Sequence, residues 1–515
     1  MIDIVSSAQA LGVCFENKIE TRVIILILDS CKTALIYHAR RKIMTGITSF
    51  GAYIPYYRLA HKDIARAWGG KASEDERAVA NVDEDSITMA VEAVRDLLSN
   101  RDGNEIDGLV FATTTSPYSE KQASALIATV ADLRHDVRTA DYTNSLRSAT
   151  TAIRAALDSV ESGSSSNIII TAADTRMAAP RSAAERLFGD AASAIEVGRD
   201  KVIAKLIASH STVDEMTDLW RKNDDQFVSG WEERFSVTQG YQRVVSQAVG
   251  ELFERNAIGP SEISKAIFYA PDQGALRSVA KNLRLTAEQI PDHLFSRVGN
   301  TGAAMPMLVL SSVLEEARAG EKILVTGYGS GCDVLLFEVT DEIYNAKSES
   351  RRGVKGHLAS RASLGSYERY AKFRELIETE APRRQSPSAS APQIWRRRDD
   401  IYKFRGSRCL DCGKVQYPQQ RICISCQSKD NFESMRLTDK KARLFTYTID
   451  FLNADPDPPT VMTVIDFDGG GRAYLMMTDR NPAEVKIEQE VEMTFRRMYE
   501  AEGFTNYYWK CRPIR

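Results

Sequence analysis

Two cysteine pairs, Cys409-x2-Cys412 and Cys423-x2-Cys426, stand ten residues apart, a spacing that lets four thiolates close around one cation. A tetrahedral set of thiolates suits zinc. Four protein ligands leave the metal no open position, so such a site folds a ribbon and does not turn over substrate. A redox role fits poorly, because neither pair lies in the thioredoxin-like βαβ context that such chemistry uses. Reactive groups are therefore sought elsewhere. In DYTNSLRSAT, residues 141–150, a β-rich run breaks at Asn144 and hands over to an amphipathic helix, which sets Ser145 at a helix N-terminus. That junction suits a nucleophile, and equally a helix cap. Tyr269, in FYAPD, reads either as an acid/base, if desolvated, or as a packed strand residue. Asn300 opens a Gly-Asn-Thr-Gly loop, where its amide can hold a polarised oxygen or cap a helix. Asp272 is an acid/base or a turn residue after Pro271, and Cys332 reads as a small buried hydrophobe.

The elements that must position these groups alternate from about Met44 to Tyr344. GLVFATTT (108–115), a helix from Lys121, VRTADYT and NIIITAAD have the strand–helix rhythm of an α/β domain. A repeat lies within it. Ser145 is followed by a helix and then by the strand holding Ile168, 23 positions on; Asn300 is followed by a helix and then by the strand holding Ile323, also 23 positions on. Two such halves predict a pseudo-twofold arrangement with both helix N-termini at one central site. Beyond Tyr344, residues 363–380 place Tyr367, Tyr370, Phe373 and Leu376 on one face of a predicted helix, and APRRQSPSASAP (381–392) reads as a linker. From about Trp395 a small module begins: the cysteine ribbon, then about five strands expected to form a Greek-key barrel. DFDGGGRA joins two of these strands and reads as a hairpin turn, since no helix follows to present its N-terminus to a phosphate.

Composition excludes several classes. With 515 residues, 43% hydrophobic and 27% charged, the chain is an ordinary multidomain globular protein. A net charge of -3 gives no pull on nucleic acid, and the tail from Leu437 carries 11 Lys/Arg against 13 Asp/Glu, the wrong sign for a groove that tracks phosphates. VIILIL (23–28) is far short of the ~20 apolar residues of a membrane span and does not read as a secretory signal. Residues 1–43 read as an extension with little core. Four of the eight cysteines sit in the metal cluster and the others are isolated, which points to a reducing, cytoplasmic setting.

Several stretches in order carry a family resemblance: DEDSITMAVEAVRDLL, FATTTSPYSEKQAS, DYTNSLRSATTA, GDAASAIEVG, IFYAPDQ, VGNTGAAM and YGSGCDVLLFEV. Residues 44–344 resemble the hydroxymethylglutaryl-CoA synthase branch of the thiolase superfamily. The tail, through GSRCLDCGKVQYP, CISC and NYYWKCRPI, resembles the zinc-ribbon/OB-fold domain that accompanies thiolase-like acyl-CoA enzymes. The resemblance implies an α/β fold with thiolase-type duplicated α/β/α/β/α layers, followed by a rubredoxin-like zinc ribbon and an OB-fold β-barrel. Its divisions are an extension 1–43, thiolase-like halves 44–199 and 200–344, a helical segment and linker 345–395, a ribbon 396–434 and a barrel 435–515.

Such synthases join an acetyl thioester to the ketone of acetoacetyl-CoA with a Cys nucleophile, a Glu acid/base and a His that binds the second thioester. Here the Cys position falls on Ser145, the Glu on Thr114 and the His on Tyr269, while Gly299-Asn300 and the glycines 327, 329 and 331 remain. A helix N-terminus can lower a thiol to near neutrality but cannot move a serine hydroxyl that far, so Ser145 is not expected to be acylated without a base. The resemblance implies acyl-CoA as substrate, structural zinc, a homodimer and possible association with a separate thiolase subunit. The expected chemistry is an aldol or retro-aldol step on a CoA thioester served by Tyr269 and Asn300, as in thiolase-fold aldolases of steroid side-chain degradation that lack the cysteine. The alternative is a catalytically degenerate scaffold or CoA-channelling subunit for a partner thiolase.

Overall fold

The computed structural model describes residues 44–99, 101–347, 351–378, 380, 388–453 and 455–515. The extension 1–43 and residues 381–387 of the linker therefore lie outside the described residues. Thr45–Arg515 forms one compact unit.

Nine strands form the central sheet, in the order Lys265–Phe268, Lys322–Tyr328, Gly331–Val339, Ala204–Val213, Gly46–Tyr53, Ala191–Gly198, Ile168–Asp174, Gly108–Thr113, Arg138–Thr143. It is two half-sheets, joined only where Gly46 and Ile47 pair with Lys205 and Ala204. Within each half the sequence repeat is visible. Ile168–Asp174 runs parallel to Gly108–Thr113 and antiparallel to Ala191–Gly198. Its counterpart, Lys322–Tyr328, runs parallel to Lys265–Phe268 and antiparallel to Gly331–Val339.

Two helices, Ser148–Ser162 and Met305–Leu314, touch each other and strands of both half-sheets, so they form the middle layer. Their composition fits that place. The first buries Ala149, Ala152, Ile153, Ala156, Leu157 and Val160, an i, i+3/i+4 stripe, and ends at Gly163 with φ 83°. The second is buried almost all round, with Pro306 in its first turn. Ser86–Leu98 covers the outside of the first half-sheet, started by a capping box between Asp85 and Thr88. Arg243–Asn256 covers the second.

Some predicted boundaries move. The helix expected from Lys121 starts at Ala123. The helix expected over 363–380 is only Tyr367–Phe373, capped by Ser366 and ended before Glu375, whose φ is 53°; Tyr367, Tyr370 and Phe373 are buried as the spacing predicts. The ribbon strands are Arg405–Cys409, Val415–Gln416 and Phe432–Arg436. Five strands then close a barrel: Ala442–Asp450, Thr460–Phe467, Arg472–Met477, Phe504–Pro513 and Glu490–Ala501 in neighbour order. Gly469, Gly470 and Gly471 all take positive φ in the turn between two of these strands, as expected of a hairpin.

Candidate active site

The strand Arg138–Thr143 ends at Asn144, whose φ of 67° turns the chain sharply into the site. Ser145, Leu146 and Arg147 form a turn before the helix begins at Ser148, so Ser145 lies two residues before the N-cap, Arg147. The expected capping role is therefore limited: Ser145 Oγ accepts one long hydrogen bond, 3.4 Å from Arg147 N–H. Among the described residues no histidine, carboxylate or phenol hydrogen-bonds to this hydroxyl. Gly329 shows why the glycine-rich return is needed. A Cβ there would lie 2.9 Å from Ser145 Oγ and 3.2 Å from Leu146 N, so only glycine lets the return run this close to the turn.

Thr114 is tied down. Its N–H and hydroxyl donate to the buried Asp174 carboxylate at 2.7 and 3.0 Å, alongside the hydroxyls of Thr113 and Thr115 and the N–H of Ala303. Five donors saturate that carboxylate, so it anchors the loop 113–115 to the entrance of the helix Met305–Leu314.

Tyr269 follows the strand Lys265–Phe268, and its N–H donates to Thr326 O at 3.0 Å. Its phenol is 2% exposed and its hydroxyl makes no hydrogen bond. Burial raises its pKa above the usual value, and the Arg176 guanidinium and Asn300 amide nearby offset part of that rise. The buried Asn300 donates from Nδ2 to Ala270 O at 3.0 Å and Pro271 O at 3.2 Å, and its Oδ1 accepts from Gly302 N–H at 3.0 Å. Asn300 thus fastens the segment after Tyr269 to the second helix entrance. Asp272 caps the helix Gln273–Asn282 by accepting from Gly274 and Ala275 N–H at 2.6 and 2.9 Å, which is the turn role. Cys332 is fully buried and its thiol is pushed well up by burial, so it is inert packing.

These groups line two adjoining cavities. One of about 800 Å³ is bordered by Thr114, Tyr118, Ser145, Arg176, Trp220 and Lys222. The other, about 320 Å³, is bordered by Tyr241, Tyr269, Asn300, Tyr328, Phe188 and Trp231. Leu146, Asp218, Leu219 and Val228 border both. Ser145 therefore faces one chamber, while Tyr269 and Asn300 face its neighbour. Sequence reasoning missed Arg176, Asp218, Tyr241 and Tyr328. Tyr328 donates to Asp218 at 2.9 Å, and the rings of Tyr241 and Tyr328 meet edge-on at 5.4 Å. Arg176 alone had a readable signal, a charge just beyond an apolar strand that ends at Asp174.

The four ribbon sulfurs lie within 4.8 Å of one another, with Cys409–Cys426 and Cys412–Cys423 separations of 3.6 and 3.5 Å. Ligands at 2.3 Å around a tetrahedral zinc stand about 3.8 Å apart, so the set fits the metal. All four positions would be filled by protein, which leaves zinc the structural role of holding the ribbon's two knuckles together.

Comparisons with known proteins agree with this anatomy. The family described as 3-oxoacyl-[acyl-carrier-protein] synthase III C terminal matches residues 253–335. The ChsH2 rubredoxin-like zinc ribbon domain matches residues 398–433. The hydroxymethylglutaryl-CoA synthase of Aeropyrum pernix is 33% identical over 341 residues, covering 64% of this chain and 94% of that protein. That of Methanocaldococcus jannaschii is 31% identical over 348 residues, covering 65% of this chain and 100% of that protein. Among solved structures, an HMG-CoA synthase complexed with CoA aligns with a TM-score of 0.58 at 21% identity, covering 67% of this chain and 94% of that one. The 3-oxoacyl-[acyl-carrier-protein] synthase III of Aquifex aeolicus aligns with a TM-score of 0.50 at 21% identity, covering 57% of this chain and 99% of that one. The two solved structures share the thiolase-type α/β fold of this chain.

Proposed function

Because the chain belongs to the hydroxymethylglutaryl-CoA synthase family, we propose that it makes or breaks a C–C bond in a CoA thioester by an aldol-type reaction that forms no acyl-enzyme. The observation that carries this reading is the contrast between Ser145 and Tyr269. Ser145 lacks a hydrogen-bonded base, so it has no means of becoming an alkoxide nucleophile. Tyr269 is a buried phenol with an unused hydroxyl facing a cavity beside the Ser145 turn. In the condensing direction the Tyr269 phenolate takes the α-proton of a thioester, the enolate so formed adds to a carbonyl carbon, and the phenol returns that proton to the alkoxide oxygen. Cleavage is the reverse: the tyrosinate removes the β-hydroxyl proton, the Cα–Cβ bond breaks, and its electron pair passes into the thioester as an enolate, which the Tyr269 phenol then protonates at carbon. Burial disfavours the tyrosinate that starts either direction, and the Arg176 guanidinium and Asn300 amide beside the phenol work the other way, stabilising it. Main-chain N–H groups of the Ser145–Arg147 turn supply the enolate's oxyanion contacts, and Asn300 positions Tyr269 through the Ala270 and Pro271 carbonyls.

Incubation with β-hydroxyacyl-CoA thioesters is expected to release a carbonyl compound and a shorter acyl-CoA. Tyr269→Phe should lower kcat by roughly 10²-fold or more, and Ser145→Ala should leave it within a few-fold of the parent. Loss of turnover in Ser145→Ala would instead support an acyl-enzyme. The altered trio of Thr114, Ser145 and Tyr269 favours one second reading, a scaffold or CoA-channelling subunit. No turnover of any thioester, with a co-purifying thiolase that gains activity from this chain, would establish it.

A further inference from the structure

The larger cavity has one wall without regular structure. Residues 114–122 form neither helix nor strand, and Thr114, Ser116, Pro117, Tyr118 and Ser119 border the cavity. The α/β layers pin this loop at its two ends. Asp174 holds Thr114 and Thr115, and Asp141 accepts from the N–H groups of Ala123 and Ser124 at 2.6 and 2.9 Å. Between those pins, among the described residues, a single hydrogen bond ties 116–121 to another part of the chain: the N–H of Thr505 donates to the Tyr118 hydroxyl at 2.9 Å.

Thr505 belongs to the barrel. It lies at the start of the strand Phe504–Pro513, just past a hairpin turn in which Glu502 and Gly503 take φ of 55° and 78°. That strand pairs with Glu490–Ala501 along its length but with Arg472–Met477 only at Cys511, so one edge is open where it passes Tyr118. An open edge presents main-chain groups that need partners, and the phenol oxygen supplies one. Two residues on, the Tyr507 hydroxyl donates to Asp85 at 2.6 Å, and the neighbouring Ser86 hydroxyl donates to Thr115 O at 2.8 Å. The same strand thus meets the middle of the loop directly and its base through the helix Ser86–Leu98.

We propose that Tyr118 is a positioning residue through which the barrel fixes this wall, so that the strand Phe504–Pro513 governs how tightly a ligand is held although it borders neither cavity. This rests on reading the paired cavities as the thioester site. A loop without ladder or helix bonds has many conformations of similar energy, and the freedom it gives up on binding weakens affinity. One anchored midpoint removes part of that freedom before the ligand arrives.

Limited trypsin digestion, with cleavage after Lys121 followed by mass spectrometry, reports the mobility of the loop in the full chain. Equilibrium titration with acetyl-CoA reports the consequence for binding. Tyr118→Phe keeps the ring on the cavity border and removes only the acceptor. It is expected to speed cleavage after Lys121 and to weaken acetyl-CoA binding roughly three- to tenfold. Gly503→Val should act in the same direction from the barrel side: a Cβ there would meet nothing within 4 Å, yet a β-branched residue is strained at that φ. Thr463→Val, which removes a buried hydroxyl bonded to Leu475 O at 2.8 Å inside the barrel, is expected to change neither measurement. Unchanged cleavage in Tyr118→Phe overturns the proposal, because the wall is then held without the barrel. Faster cleavage with unaltered affinity also overturns it, as does an equal response in Thr463→Val, which would mark a general loosening of the barrel. If the parent shows no acetyl-CoA binding, the thioester reading itself fails and the proposal falls with it.

Discussion

Tyr269 is a buried phenol that follows directly on the strand Lys265–Phe268. Its own strand is braced by His293, which is buried. His293 Nε2 accepts from Phe268 N–H at 3.1 Å, and Nδ1 donates to Pro291 O at 2.8 Å. Protonation at Nε2 would break the bond beside Tyr269, and burial accordingly lowers the imidazole from 6.5 to about 4. The folded protein thus favours the neutral ring, whereas the unfolded chain takes up the proton near 6.5. Stability from this residue is complete above that pH and is lost progressively as pH falls from 6.5 to about 4, by on the order of 3 kcal/mol. Urea unfolding at neutral pH and near pH 4 should show this loss in the parent and a smaller one in His293→Gln. At the level of single residues the sequence was informative wherever one side chain speaks for itself. The four cysteines and the buried, isolated Cys332 could both be read directly. The committed amide of Asn300 could not, because its partners are carbonyls of residues 270 and 271, about thirty positions away.

At the scale of elements, the repeat that the 23-residue spacing revealed is interlocked rather than merely duplicated. The turn at Ser145 packs against Gly329, just past the end of Lys322–Tyr328, while Gly302 packs against Asp174, the end of the equivalent strand in the other half. Each helix entrance is therefore shaped by the opposite half. Spacing could reveal the two units and their shared centre, but not the cavity walls, because Asp218, Leu219 and Val228 come from the loop-rich segment of the second half between Ala204–Val213 and Arg243–Asn256, which carries no sustained hydrophobic period. The ribbon is the opposite case: its chemistry is local and fully legible. With only short strands and few apolar side chains of its own, it depends on metal for a fixed shape. Cys409→Ser is expected to lose the full equivalent of zinc that the parent binds, as measured by metal analysis after dialysis. Retention of one equivalent would contradict the four-cysteine site.

At the scale of the whole molecule, the barrel and the thiolase-like layers share one interior. A single apolar cluster runs from Ile87, Val91 and Val94 on the helix Ser86–Leu98 to Val491, Phe495 and Trp509 of the barrel. Buried charges pin the same boundary. Arg496, fully buried, meets Asp83 at 3.0 Å, Glu84 at 2.7 Å and Asp479 at 2.5 Å; Lys510 meets Asp83 at 2.9 Å, and Arg512 meets Glu92 at 2.8 Å. Asp83 and Glu84 belong to the stretch DEDSITMAVEAVRDLL, so a segment that reads as part of the thiolase-like half alone also forms the seat of the barrel. The central position of Arg496 makes its removal informative. Arg496→Met would leave Glu84 without its cation while Asp83 keeps Lys510 and Asp479 keeps Arg512, and breaking such a network from one side costs about 3–5 kcal/mol. Urea unfolding should therefore show a large fall in stability. If barrel and layers unfold in one transition in the parent, the variant should separate them into two, because the central ion pairs that couple them are lost and only the apolar seam with the Lys510–Asp83 and Arg512–Glu92 pairs remains. A variant as stable as the parent, unfolding in one transition, would mean that the apolar cluster and the Lys510–Asp83 and Arg512–Glu92 pairs fix the barrel against the helix Ser86–Leu98 without Arg496.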